Sequence, residues 1–124
     1  MDNTQKNVAV LGASPKPERY SNKAIRMLLE AGHTVIPVHP ALETVEGLRT
    51  ANGLECIKMD IDTLTVYVSP RVSSNLTDKI LNLNPERVIF NPGAENTELE
   101  QQLESKGIKC EEACTLVLLK TGQF

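Results

Sequence analysis

The sequence predicts an α/β fold, and three observations carry that expectation. Short apolar runs stop at turn residues, as in NVAVLG, TVIPVHP and RVIFNPG. Segments with apolar residues three and four apart lie between them, and the two kinds of segment alternate along the chain. Strands separated by helices pair in parallel through crossover connections, which gives a Rossmann-like, doubly wound parallel five-stranded sheet. The 124 residues suit a single domain, residues 1–124, and leave no room for a separate catalytic domain. A hydrophobic content of 40% supplies one core.

Asn7–Leu11 is the first strand, an apolar run bounded by Gly12 that fits burial on both faces. Ser21 is placed to cap the first helix, whose Ala24, Ile25, Leu28 and Leu29 share a face and whose end falls at Gly32. Thr34–Val38 is the second strand, closed by His39 and Pro40; Pro37 cannot donate to a ladder and marks a strand end or an irregularity. Residues 41–63 carry no decisive pattern, because Gly47, Asn52 and Gly53 break them into short pieces. Residues 64–69 (LTVYVS) form the third strand, stopped by Pro70. Leu76, Ile80, Leu81 and Leu83 mark a second helix ending at Asn84 and Pro85, and Arg87–Phe90 is the fourth strand, followed by the turn NPGA. Thr97 and Glu100 read as a capping box that opens a third helix, with Leu99 and Leu103 inward and Gly107 at its end. Residues 108–111 are a short fifth strand, and the apolar residues 114–120 favour a terminal helix.

Composition excludes several functions. Aromatic residues are 3% of the chain and Trp is absent, so a platform for stacking bases is hard to build. A formal net charge of -3 argues against affinity gained by neutralising many phosphates, and nucleic acid is not an expected partner. The start MDNTQKN has no apolar signal-peptide core, and no run approaches the roughly 18 apolar residues of a membrane span. A cytoplasmic protein with no membrane partner is expected. Cys56, Cys110 and Cys114 are odd in number and lack CxxC spacing, which gives neither a disulfide framework nor a zinc site and suits a reducing compartment.

A doubly wound sheet binds ligands at the carboxyl ends of its strands, which points to the loops after Leu11, Val38, Ser69 and Phe90. In the first, Gly12 permits a tight turn, Ser14 offers a hydroxyl, and the helix start beyond offers free N–H groups to an anion. A pyrophosphate would be served there; an ordinary strand-to-helix turn with solvated Lys16 and Arg19 is the plainer alternative. The loop is not a Walker A motif, and it is not GxGxxG, because Ser14 and Pro17 stand where the second and third Gly would be. The second strand ends Val38-His39-Pro40, without the Asp or Glu that reads an NAD ribose or the Arg that accepts an NADP phosphate. Pro40 is either an apolar wall for an adenine or a simple strand terminator. In the fourth loop, Asn91 and Gly93 either let the backbone approach a ligand or provide good turn chemistry.

The blocks VAVLGASPKPERYSNKAIRMLLEAGHTVIPVHP, YVSPR and VIFNPGAEN resemble the small CoA-binding proteins, whose domain is similar to the nucleotide-binding domain of the succinyl-CoA synthetase alpha subunit. The resemblance runs from about Asn7 to the end and is most specific in the first block. It implies a small-molecule nucleotide cofactor, coenzyme A or an acyl-CoA. Gly12, Ala13 and Ser14 would face the pyrophosphate; Lys16, Arg19 and Ser21 would lie near phosphates; Val38 and Pro40 would flank the adenine; Ser69, Pro70 and Arg71 would line the next wall. Gly93, where it is more than a turn residue, would allow the backbone to approach a ligand such as the pantetheine arm. The chain departs from the family where His39 replaces the common Asn and where residues 41–63 are irregular. Coenzyme A carries a 3′-phosphate that NAD lacks, and Arg19 and Lys16 are available to it.

No catalytic or metal-binding residues are expected. Cys114 follows Glu111 and Glu112, whose charges would raise a thiol pKa, and the three cysteines read as small packing residues. His39 sits at the proposed ligand rim with no carboxylate fixed beside it, so a hydrogen bond to ligand or an exposed position fits better than a base. Glu98, Glu100 and Glu104 form the solvated face of a helix. The expectation is non-catalytic binding of coenzyme A or an acyl-CoA; whether a protein partner exists is not legible in the sequence. An NAD(P)-dependent oxidoreductase and a nucleotide-sensing regulatory module are the alternatives.

Overall fold

β1 (Asn7–Leu11) turns Val8 and Val10 to one face and Ala9 and Leu11 to the other, and none is more than 5% exposed. A strand buried on both sides demands a layer on each. In the computed structural model, which describes residues 5–124, those layers are helical; residues 1–4, part of the MDNTQKN start, lie outside the described residues. After β1 come α1 (Tyr20–Glu30), β2 (Thr34–Val38), a hairpin of β3 (Thr44–Val45) and β4 (Leu48–Arg49), a 3-10 turn (Leu54–Cys56) and β5 (Thr63–Val66). The chain continues through α2 (Pro70–Ser74), α3 (Thr77–Leu83), β6 (Arg87–Phe90), α4 (Thr97–Glu104), β7 (Lys109–Glu112) and α5 (Thr115–Lys120).

The five-stranded sheet is parallel throughout, in the order β2-β1-β5-β6-β7. On one face, Ile25 and Leu28 of α1 pack on Val8, Val10 and Val35, with Leu119 of α5 beside them. Burying each such side chain contributes about 1.5–3 kcal/mol. On the other face, Ile80 of α3 and Leu99 and Leu103 of α4 cover Leu64, Val66, Val88 and Phe90. The doubly wound, Rossmann-like architecture is thus the one expected. Pro37 lies within β2, an edge strand, where its missing N–H breaks no ladder and its carbonyl accepts from Ala51 N–H at 2.9 Å.

Several local expectations are corrected. Ser21 does not cap α1: the cap position is Arg19, which makes no side-chain cap bond, and Ser21 is buried in the first turn. Leu29 is 37% exposed, off the core face of Ala24, Ile25 and Leu28. The third strand ends at Val66 rather than residue 69, because Ser69 is the cap and Pro70 the first residue of α2, where a missing N–H costs nothing. Asn96, not Thr97, caps α4: its Oδ1 accepts from Leu99 N–H at 3.1 Å, and Glu100 Oε2 accepts from Asn96 N–H at 3.2 Å. Residues 41–63 contain the β3–β4 hairpin, whose turn places Glu46 (φ 52°) and Gly47 (φ 75°) in the left-handed region. The last strand begins one residue later than expected, at Lys109, and the terminal helix forms.

Candidate functional site

The sheet order reverses direction between β1 and β5, so the loops leaving these two strands diverge and open a crevice above their carboxyl ends. Gly12 begins the first loop at φ +90°, and a β-carbon there would lie 2.9 Å from Val68 Cγ1 and 3.2 Å from the Tyr67 carbonyl carbon. Only glycine combines this conformation with so close an approach of the two loops.

Gly12 borders two cavities. One, of about 620 Å³, is lined by Gly12, Ala13, Ser14, Lys16, Arg19, Ser21, His39 and Tyr67, together with Pro15, Glu18 and Tyr20. The other, of about 280 Å³, is mainly apolar: Leu11, Val38, Pro40, Leu54, Val68, Val72 and Leu76 line it, with Asn52, Gly53 and Lys79. The structure therefore brings nine of the expected residues to two adjoining cavities. Ser69, Pro70, Arg71, Asn91 and Gly93 line neither. Ser69 caps α2, its Oγ accepting from Val72 N–H, and the Pro70 carbonyl accepts from Asn96 Nδ2 at 3.2 Å. Arg71 is exposed on α2, and Gly93 sits in an exposed turn at φ +91°, its N–H donating to Glu95 Oε1.

Asn91 is buried below the crevice. Its Nδ2 donates to Thr65 Oγ1 (2.7 Å) and the Val66 carbonyl (2.9 Å), while its Oδ1 accepts from Thr115 N–H (2.9 Å). Thr65 and Thr115 share a further hydroxyl bond at 2.8 Å. These bonds tie β5, β6 and α5 together. Tyr67 lines the larger cavity, and its buried hydroxyl makes no hydrogen bond among the described residues. Burial pushes its pKa up to about 12.

The first loop is held from behind. Buried Asn22 donates through Nδ2 to the Ser14 carbonyl (2.9 Å) and to Glu46 Oε2 (3.0 Å), and its Oδ1 accepts from Arg26 Nε (2.8 Å). Arg26 Nη2 donates to the Pro17 carbonyl at 2.7 Å. Ser14 Oγ accepts from Lys16 N–H at 3.2 Å. Among the described residues, the amides of Ser14, Tyr20, Ser21 and Asn22 donate to no protein acceptor, so the loop and helix start present several donors beside two cations. An anion fits this donor set.

His39 is fixed by its own turn, with Nδ1 accepting from the amides of Ala41 (3.0 Å) and Leu42 (3.1 Å). The neutral ring then carries its hydrogen on Nε2. Burial, with Glu104 and Glu100 nearby, pushes the Cys110 thiol up to about 12, the opposite of an activated nucleophile. Among the described residues no three His, Cys, Asp or Glu side chains gather as a metal site, and no helix is long and apolar enough to cross a membrane.

Sequence reasoning missed Asn22, Leu54, Tyr67, Val72, Leu76 and Lys79. A polar Asn three residues before Ile25, on the core face of α1, and the i, i+4 pair Val72 and Leu76 were available signals. Leu54 and Lys79 reach the cavity only through tertiary folding.

The family described as CoA binding domain matches residues 6–120. The Bacillus subtilis (strain 168) protein YneT is 28% identical over 102 residues, covering 82% of this chain and 76% of its own. One solved crystal structure is 38% identical, with a TM-score of 0.87 over 98% of this chain and 99% of that one. A Thermus thermophilus protein, cell-free ID.343, is 29% identical, with a TM-score of 0.88 over 97% of this chain and 91% of that one.

Proposed function

The chain belongs to the CoA binding domain family, and from that premise we propose that it binds coenzyme A or an acyl-CoA in the crevice above β1 and β5 without transforming it. The observation that carries this reading is the meeting of two unlike cavities at Gly12: one apolar, the other rich in donors and cations. A nucleotide with an uncharged base and a pyrophosphate has the same division. Val38 and Pro40, with Leu54, Val68 and Val72, would hold the adenine by apolar contact. The Gly12–Ser14 backbone, Lys16 and Arg19 would hold the pyrophosphate, with Ser21 close to it.

The ligand supplies a thiol, free or acylated; the protein's part is to hold and present it. His39, with Nδ1 already occupied, and Cys110, with its thiol pushed up, both favour a holding role. The end of β2 favours coenzyme A over NAD, because its Val38-His39-Pro40 sequence offers no carboxylate to a ribose 2′-hydroxyl. Mass spectrometry of small molecules released from protein purified under gentle conditions tests the reading. Coenzyme A or an acyl-CoA is expected. Stoichiometric NAD or NADP would overturn it in favour of an NAD(P)-dependent oxidoreductase or a nucleotide-sensing module.

A further inference from the structure

Lys79 is the one charged residue among those lining the apolar cavity, where it stands with Val38, Pro40 and Leu54. Its ammonium lies 3.4 Å from Glu55 Oε1, and both side chains are about half exposed, at 49% and 57%. An exposed pair of this kind contributes little to stability and exchanges partners easily. Glu55 follows Gly53 and Leu54, two residues of the cavity wall, and its carboxylate folds back over Gly53: a β-carbon there would lie 2.5 Å from Oε2. Lys79 therefore lines the apolar cavity while its ammonium is paired with Glu55, and the two residues together also line a neighbouring cavity of about 420 Å³.

The connectivity of the ligand gives this position meaning. Coenzyme A carries its adenine and its 3′-phosphate on one ribose, and its pyrophosphate on the 5′ carbon of that sugar. With the base in the apolar cavity, the 5′ side leads across Gly12 to Lys16 and Arg19. With those two cations taken up by the pyrophosphate of that reading, the 3′ substituent would be left to the charge that lines the cavity of the base.

We propose that Lys79 binds the ribose 3′-phosphate, leaving Glu55 to do so, and that it sets the preference for coenzyme A over nucleotides lacking that phosphate. The proposal rests on the coenzyme A reading. It moves the 3′-phosphate away from Lys16 and Arg19, where sequence had placed it. A dianionic phosphate is a stronger partner for an ammonium than a solvated carboxylate, and lysine serves as a point charge for it.

Calorimetric titration with coenzyme A and with 3′-dephospho-coenzyme A tests this, using the wild type, Lys79→Gln, Lys79→Arg and Glu55→Gln. The wild type should prefer coenzyme A by about tenfold or more, the scale of one charge-assisted bond. Lys79→Gln should remove that preference while leaving dephospho-coenzyme A within about twofold of the wild type. Lys79→Arg should retain most of the preference. Glu55→Gln should tighten coenzyme A alone, by a few-fold, because the lysine no longer has a competing partner. A preference that survives in Lys79→Gln, or equal binding of both ligands by the wild type, overturns the assignment of Lys79 and leaves coenzyme A binding intact. A wild type that binds neither ligand overturns both.

Discussion

Gly12 and Val68 touch at the point where the two walls of the site separate: a β-carbon on Gly12 would stand 2.9 Å from Val68 Cγ1. This contact closes the loops after β1 and β5 against each other and leaves a cavity on either side of the glycine. The site is therefore a consequence of sheet order, since these loops diverge only because β1 and β5 are neighbours whose crossovers run to opposite faces.

Gly12→Ala should lose stability and ligand together. The substitution forces alanine to φ +90° and drives its methyl into Val68 and the Tyr67 backbone, at about 1–3 kcal/mol for the conformation alone. Thermal melting should show a fall of several degrees, and coenzyme A affinity should drop. An unchanged melting temperature would contradict the packing described.

Asn22→Ala should weaken coenzyme A binding although Asn22 lines neither cavity. Its side chain carries the bonds to Ser14, Glu46 and Arg26 that fix the first loop. Leaving such groups unpaired costs about 1–3 kcal/mol. Urea unfolding measures that loss, and titration of the folded variant should show a separate loss of affinity. Affinity equal to the wild type would mean that the loop holds its shape without Asn22.

Asn91→Ala should behave differently. Asn91 joins β5, β6 and α5 below the crevice, so the substitution should lower stability by about 1–3 kcal/mol and leave the affinity of the folded protein near that of the wild type. Urea unfolding and ligand titration on the same preparation separate the two effects. A selective loss of affinity would place Asn91 at the ligand, as its loop position alone suggested.

The strands were legible because burial on both faces writes itself as continuous apolar runs: Asn7–Leu11, Thr34–Val38 and Arg87–Phe90 appear with the expected bounds. The helix starts were less so. Ser21 and Thr97 are good capping residues by type, but Arg19 and Asn96 take the positions because tertiary bonds such as Arg26 to Pro17 and Asn96 to Ser73 set where the chain turns. In the site, residues on the first loop could be grouped because they are contiguous. Leu54 and Lys79 could not, since nothing local to residues 41–63 or to α3 says that these segments meet at the apolar cavity. Asn91 shows the converse, a polar residue in the right loop whose side chain is consumed by Thr65, Val66 and Thr115.

Glu100→Gln should alter the pH dependence of stability. Burial, then the hydrogen bond with Glu112 and the charges of Glu112 and Glu104, push the Glu100 carboxyl up to about 7, against the pull of the Asn96 N–H. Between its ordinary value of 4.5 and about 7 the folded chain keeps a proton that the unfolded chain releases, so this group's contribution to stability falls as pH rises through that window. Gln carries no charge at any pH and can still accept from Asn96. Melting temperatures of the two proteins should agree more closely at pH 4 than at pH 8, where the variant should be the more stable. A difference that does not change with pH would contradict the shift.

That coenzyme A is the ligand is the central claim. Isothermal titration of the purified, ligand-free protein with coenzyme A, acetyl-CoA, NAD and NADP tests it most directly. Saturable one-to-one binding of coenzyme A or acetyl-CoA, with NAD and NADP at least tenfold weaker, is the predicted result at about 1.4 kcal/mol per tenfold. Clear binding of NAD with no heat from either CoA species would contradict it.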